Sequence, residues 1–186
     1  SGHALLSLID EVLNFSEADA GKINIINRDC SLYETLDDVV GLLANQALKK
    51  QIAIGYAVAD DVPSSFSADS GRLRQVLINL AGNAIKFTTT GQVRLGAQSA
   101  PALAGDHLNL RLFVEDTGIG ISAEDQQRLF NPFIQGSNND QSARSGSGLG
   151  LVISRNLCEM MGGQLHLSSV QGKGTRVDVT LALALT

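Results

Sequence analysis

Five polar side chains recur through residues 72–86 at helical spacing: Arg72, Gln75, Asn79, Asn83 and Lys86. Asn79 and Asn83 stack one turn apart, and two amide oxygens so placed can hold a hard cation such as Mg²⁺. Lys86 adds a positive charge suited to phosphate. Taken alone, the stripe also describes a solvated helix face. A second cluster, Glu115-Asp116-Thr117-Gly118-Ile119-Gly120, directly follows an apolar run. Its glycines let backbone approach a flat ligand closely. A carboxylate at a strand end can accept a hydrogen bond from an exocyclic amine, such as adenine offers. Taken alone, Asp-x-Gly-x-Gly is equally a tight turn. A third cluster, Gly146-Ser147-Gly148-Leu149-Gly150-Leu151, opens an apolar helical pattern. Backbone N–H groups bared by glycine at a helix start form an anion site. A polar loop precedes it rather than a strand, so it is not the dinucleotide fingerprint. Gly172-Lys173-Gly174-Thr175 reads as a hairpin turn.

The elements that must position these residues follow from periodicity. Asp69 opens a helix running to about Phe87, with Leu73, Val76, Leu77, Leu80, Ala81 and Ala84 on its apolar side. Ser31 caps an earlier helix carrying Leu32, Leu36, Val39, Val40, Leu43 and Leu48, with Glu34 at the capping-box position. Strands are predicted over 22–27, 51–58, 92–98, 107–115, 164–170 and 175–183. In the last of these Val177, Val179, Leu181 and Leu183 alternate inward. A short helix is predicted over 123–130 and another over 149–161, where Gly162-Gly163 stops it. Residues 131–148 are polar, aperiodic and rich in Ser, Asn and Gly, the mark of a long loop. Residues 4–20 are predicted to form an apolar helix with Leu5, Ile9, Val12 and Ser16 along one seam, with Gly21 as its stop.

Composition removes several function classes. The chain has 186 residues, 44% of them hydrophobic, and a formal net charge of -5. An acidic chain with no dense Lys/Arg run and no Trp is a poor nucleic-acid binder. Cys30 and Cys158 lie far apart and in no CxxC pair, so a zinc site is not expected and both read as small buried hydrophobes. No apolar run reaches the roughly 20 residues that span a bilayer.

The four clusters occur together, in order, on suitable elements, and in that arrangement the chain resembles the catalytic, ATP-binding domain of sensor histidine kinases. That family shares an ATPase superfamily with type II topoisomerases, ninety-kilodalton heat-shock chaperones and mismatch-repair ATPases. Residues 72–88, RLRQVLINLAGNAIKFT, resemble the family's asparagine box, and 129–135, LFNPFIQ, its phenylalanine box. The likeness covers residues 22 to about 183. It implies an α+β fold: a two-layer sandwich whose mixed, mostly antiparallel sheet is covered on one face by helices, with a long lid over ATP. It implies that Asp116 binds the adenine amino group, with Gly118 and Gly120 lining that pocket. Asn79 and Asn83 would hold Mg²⁺ and, with Lys86, the phosphates of ATP or ADP. Gly146, Gly148 and Gly150 would hinge the lid and, with Leu149 beside them, receive phosphate. Phe130 and Phe133 would anchor the lid's base, and Thr175 would border the nucleotide. Superfamily members that hydrolyse ATP with water carry Glu where Asn79 stands. An amide is no base, so Asn79 argues for phosphoryl transfer to a protein acceptor.

Residues 1–21 are similar to the second helix of the family's dimerisation hairpin, and 22–186 to its catalytic domain. His3 has no acid beside it and no nearby proline, unlike the family's acceptor histidine. His107 and His166 fall on predicted strands. The expected partners are therefore a phosphoacceptor helix upstream, in the same or a partner protomer, a receiver domain, and a second protomer or another sensor kinase. Such a fragment is expected to bind Mg-nucleotide without phosphorylating itself. It would be the cytoplasmic, soluble portion of a membrane-anchored sensor. Ser145-Gly146-Ser147-Gly148 lacks the family's usual paired glycines and Thr, and Arg144 is displaced. This keeps a second reading open, a kinase-like module that acts by docking to another kinase or regulator.

Overall fold

The computed structural model describes residues 24–100, 108–132 and 148–183. The helix predicted over residues 4–20, His3 and His107 lie outside them.

The chain enters through residues 24–27, which have no regular structure. The strand predicted over 22–27 therefore sits too early: β1 spans Arg28–Ser31. It pairs antiparallel with β3, Ser65–Ala68, a strand the sequence reading lacks. Between them lie α1, Leu32–Lys49, and β2, Ala53–Val58. Ser31 caps α1 as predicted, its hydroxyl accepting from Glu34 N at 3.3 Å. The second helix, α2, spans Ser70–Phe87 behind its cap Asp69, whose Oδ1 accepts from Arg72 N at 3.0 Å. Then come β4, Gln92–Ala100, and β5, Leu108–Asp116. The short helix α3 covers only Ala123–Gln126, because the chain continues through 127–130 as turns. The last helix, α4, spans Gly150–Met160, and β6, Gly163–Val170, and β7, Gly174–Leu183, follow it.

The main sheet runs β2-β4-β5-β7-β6. β2 is parallel to β4, and the other neighbours are antiparallel. This is the mixed, mostly antiparallel sheet expected. Alternation sends one set of side chains toward the helices: Val93, Leu95 and Ala97, then Leu110, Leu112 and Val114, then Val177, Val179 and Leu181, all buried. The apolar side of α2 meets them, with Leu73, Val76, Leu77, Leu80, Ala81, Ala84 and Ile85 buried. The opposite sheet face carries Arg94, Glu115, Arg176 and Asp178 around Phe113. The Phe113 ring fills the space over Gly96, where any Cβ would overlap it, and Arg176 stacks 3.9 Å from the ring centroid. One face of the sheet thus makes the core, and the helix α2 that packs on it brings its C-terminal turn against the loop that follows β5.

Candidate functional site

Asp116 is the last residue of β5, opposite Thr175 on β7. Its Oδ1 accepts two backbone hydrogen bonds, from Gly118 N at 2.8 Å and Thr175 N at 3.3 Å. One oxygen is thereby fixed, and the other is the atom that can meet a ligand's N–H. Burial pushes the Asp116 carboxyl up; the Gly118 and Thr175 amides draw it part of the way back, and the charge of Glu115 pushes it up again.

The loop after Asp116 is clamped on two sides. Ile119 N donates to Phe87 O at the end of α2, at 3.2 Å, and Ile119 O accepts from Gly172 N in the β6–β7 turn, at 2.7 Å. A Cβ on Gly118 would lie 2.5 Å from Phe87 O and 2.8 Å from Asp116 Oδ1, so no larger residue fits that approach. Gly120 turns the chain with φ 65°, and a Cβ there would strike Val170 O. Ser169 completes the clamp: its hydroxyl accepts from Ile121 N at 2.8 Å, donates to Gly174 O at 2.9 Å and lies 2.8 Å from Thr175 Oγ1. Gln126 Nε2 ties the same segment down, donating to Ile121 O at 2.8 Å and Ser169 O at 3.0 Å. An open recess of about 250 Å³ borders Asp116, Ser169, Gly174 and Thr175. Glu115, Ser168, Lys173 and Arg176 line it too, so it runs along the outer side of the hairpin and does not reach Asn79, Asn83 or Lys86.

The polar stripe of α2 supplies the other end. Asn79 does not stand free. Its Nδ2 donates to Gly150 O and to Ser154 Oγ, the latter at 2.8 Å, which staples α2 to the start of α4. A Cβ on Gly150 would fall within 2.5 Å of Asn79 Oδ1, so glycine is what lets the helices meet there. Asn83 is half-buried one turn on, and so is Lys86 on the last turn. Burial lowers the Lys86 ammonium from its ordinary value, and its Nζ lies 4.9 Å from the centroid of the Phe87 ring.

The glycine-rich helix start is partly described. Gly148 is left-handed at φ 72°, and Leu149, fully buried, is the cap of α4. Leu149 makes no side-chain cap hydrogen bond to this helix. Phe130 is half-buried beneath Arg155 of α4, which stacks 5.0 Å from its ring centroid and donates from Nη2 to Phe130 O at 3.4 Å. Phe133, Gly146 and the lid expected over most of 131–148 lie outside the described residues.

The structure thus gathers Asp116, Gly118, Gly120 and Thr175 at one end, and Asn79, Asn83, Lys86, Gly148, Leu149 and Gly150 around α2 and α4. Ser154, Ser169, Gln126 and Arg155 are additions. Ser169 had a signal: Leu165, Leu167 and Ser169 share one side of β6, and the serine breaks an apolar alternation. Ser154 had one too, four residues after Gly150 within an apolar helix pattern.

These residues fit a magnesium nucleotide. A pinned carboxylate suits an amine donor, the Gly118 approach suits a flat ring, and amide oxygens with a lysine suit a cation and phosphate. Among the described residues no three His, Cys, Asp or Glu side chains form a metal cluster. A hard cation here would depend on amide oxygens and on the phosphates themselves.

Comparison with known proteins places the chain in an ATPase family. Residues 68–185 match the profile described as histidine kinase-, DNA gyrase B-, and HSP90-like ATPase. The sensor protein GacS of Pseudomonas syringae pv. syringae is 41% identical over 183 residues, covering 98% of this chain and 20% of GacS. The signal transduction histidine-protein kinase BarA of Escherichia coli K12 is 38% identical over 175 residues, covering 94% of this chain and 19% of BarA. The chain therefore spans about a fifth of the length of these curated relatives. A crystal structure of full-length ShkA in complex with AMPPNP superposes with a TM-score of 0.84 at 35% identity, covering 98% of this chain and 36% of that one. On these matches and this geometry, the chain belongs to the histidine kinase-, DNA gyrase B- and HSP90-like ATPase family, and its described body is homologous to the catalytic domain of sensor histidine kinases.

Proposed function

We propose that this chain binds Mg-ATP and serves a two-component sensor kinase as its catalytic domain. It would present the γ-phosphoryl group to a histidine on an upstream hairpin helix of the same or a partner protomer, from which a receiver domain is charged. Asp116 reads the adenine amine through Oδ2 while its Oδ1 stays pinned by Gly118 and Thr175. Lys86 faces the phosphates with its charge, and the glycine-rich start of α4 offers them N–H donors. Asn79 and Asn83 would hold Mg²⁺ through amide oxygens; when bound, that ion offsets phosphate charge. What the chain supplies is positioning.

The observation that carries the choice of phosphotransfer over hydrolysis is Asn79. It stands where water-splitting relatives place a carboxylate base, and its amide nitrogen is spent on Gly150 O and Ser154 Oγ. It has no proton-accepting nitrogen to activate water. Calorimetry with ADP and Mg²⁺ tests the binding half: a saturable isotherm is expected, abolished by Asn83→Ala. The transfer half is tested by joining the chain to a phosphoacceptor hairpin and following label from γ-labelled ATP into phosphohistidine. Nucleotide binding without transfer there would reduce the domain to a docking module.

A further inference from the structure

Each of the last four carbonyls of α2 accepts a hydrogen bond, and one residue from outside the helix serves two of the four. Ala84 O accepts from Thr88 N at 3.0 Å and from Thr88 Oγ1 at 2.7 Å. Phe87 O accepts from Ile119 N, the loop clamp already described. The two between them, Ile85 O and Lys86 O, both accept from Lys50 Nζ, at 2.7 and 2.8 Å. Lys50 follows directly after α1. It is aimed by a tight turn in which Gln51 adopts φ 57° and Ile52 N returns to Ala47 O at 3.0 Å. An ammonium at a helix C-terminus both satisfies orphan carbonyls and complements the negative end of the dipole.

We infer that Lys50 is a positioning residue of the nucleotide site. It fixes the last turn of α2, and that turn does two things at once. It directs the side chain of Lys86, and it holds Phe87 O where Ile119 N meets it and where only Gly118 fits. Lys50 touches no nucleotide. It acts through the turn, setting the distance between the phosphate-facing stripe of α2 and the loop that follows Asp116. Without it, two carbonyls of a packed turn lose charge-assisted bonds, the turn frays, and Lys86 and the Ile119 clamp loosen together.

The inference rests on the nucleotide reading, and the test separates the two. ADP affinity in Mg²⁺, melting temperature and hydrogen exchange of the Ile119 amide are measured for the unaltered chain, Lys50→Met, Lys50→Arg and Leu43→Ala. Leu43 is a core residue of α1 whose side chain makes none of these bonds, so its truncation supplies a loss of packing without removing a donor. Expected for Lys50→Met is about a tenfold or larger loss of ADP affinity, from two charge-assisted bonds, with faster Ile119 exchange. Lys50→Arg, which keeps donors and charge, recovers most of both. Leu43→Ala melts lower yet binds ADP within about twofold of the unaltered chain. Lys50→Met binding ADP as the unaltered chain does, or Ile119 exchange unchanged, overturns the inference. An equal affinity loss in Leu43→Ala also overturns it, by reducing Lys50 to general stability. Should Lys50→Met fail to fold, Lys50→Gln, a shorter side chain that keeps an amide NH₂ but no charge, replaces it on the same criteria. Should the unaltered chain not bind ADP at all, the nucleotide reading falls, and Ile119 exchange still decides whether Lys50 locks the turn.

Discussion

Asp116 works against the stability of its own fold. Burial raises its carboxyl above the ordinary range, so the folded chain keeps this proton at pH values where the unfolded chain has lost it. Its contribution to stability is present below the ordinary carboxylate value and is lost as pH rises to the raised one; above that window the buried charge is a standing cost. Asp116→Asn removes the cost. The amide oxygen can still accept from Gly118 N and Thr175 N, so the melting temperature at neutral pH is expected to hold or rise. The new NH₂, however, would face a ligand's amine, donor against donor. ADP affinity should fall about 10- to 100-fold, the scale of a lost hydrogen bond to a charged group. A variant that melts lower and binds ADP unchanged would contradict both the burial argument and the adenine role. In the unaltered chain, affinity should weaken on acidification above the ordinary carboxylate value, because protonated Asp116 no longer accepts in the same way; calorimetry across pH reads this directly. At this scale the sequence was informative where chemistry is local. Asp116, Gly118 and Gly120 sit within five residues of one another, so their types and spacing could single them out together. Ser169 and Lys50 do not, because each acts on groups that are remote in the chain and adjacent only in the fold.

The helix α2 joins the site to the rest of the molecule at both of its ends, and its N-terminus makes a separate prediction. Asp69 spends both oxygens: Oδ1 on Arg72 N, and Oδ2 on Ile26 N at 3.0 Å, in the segment leading into β1. Asp69→Ala removes the cap and the tether together. A loss of about 1–2 kcal/mol is expected in urea unfolding, the range for such caps. Asp69→Asn, whose amide oxygen still caps, should lose less. Equal stability of Asp69→Ala and the unaltered chain would show the cap to be idle. This helix was readable in advance because cap, apolar period and polar stripe all agree over 18 residues. The pair β1 and β3 was not. Each has four residues, and neither alternates strongly enough to stand out. What makes them strands is their pairing, Arg28 with Ala68 through Ser31 with Ser65, across more than thirty residues of chain. The residues before Arg28 alternate better, but the described ones pair with no strand and remain irregular. The helix over 123–130 fell short for the opposite reason: Ser122 caps it well, with Asp125 N donating to Ser122 Oγ at 3.1 Å, and the following turns then take the chain toward Phe130.

Across the described residues, one core joins the small sheet, α1, α2, α4 and the main sheet, and the two cysteines mark separate parts of it. Cys30 lies on β1 at 1% exposure, and Cys158 on α4 at 0%. Both belong to the same continuous cluster as Leu77, Leu112 and Val179. Burial raises the Cys30 thiol, opposed in part by the hydroxyl of Thr35, which lies 3.6 Å from its sulfur. Burial, with the charge of Glu159 added, pushes Cys158 up to about 12. Neither thiol therefore offers a reagent access or thiolate at neutral pH. Alkylation becomes a probe of how the core opens. If the molecule unfolds as one body, iodoacetamide should modify both cysteines at the same rate, and that rate should rise with urea in step with global unfolding. The β1–β3 pair is the shortest strand pairing among the described residues, and Cys30 is its sentinel. Labelling of Cys30 ahead of Cys158 below the unfolding transition would show that the small sheet opens by itself. Because Asp69 holds both α2 and the segment entering β1, Asp69→Ala should advance Cys30 labelling more than Cys158 labelling. Equal acceleration of both would place the tether within the single cooperative unit, and mass spectrometry of the two peptides distinguishes these outcomes in one experiment.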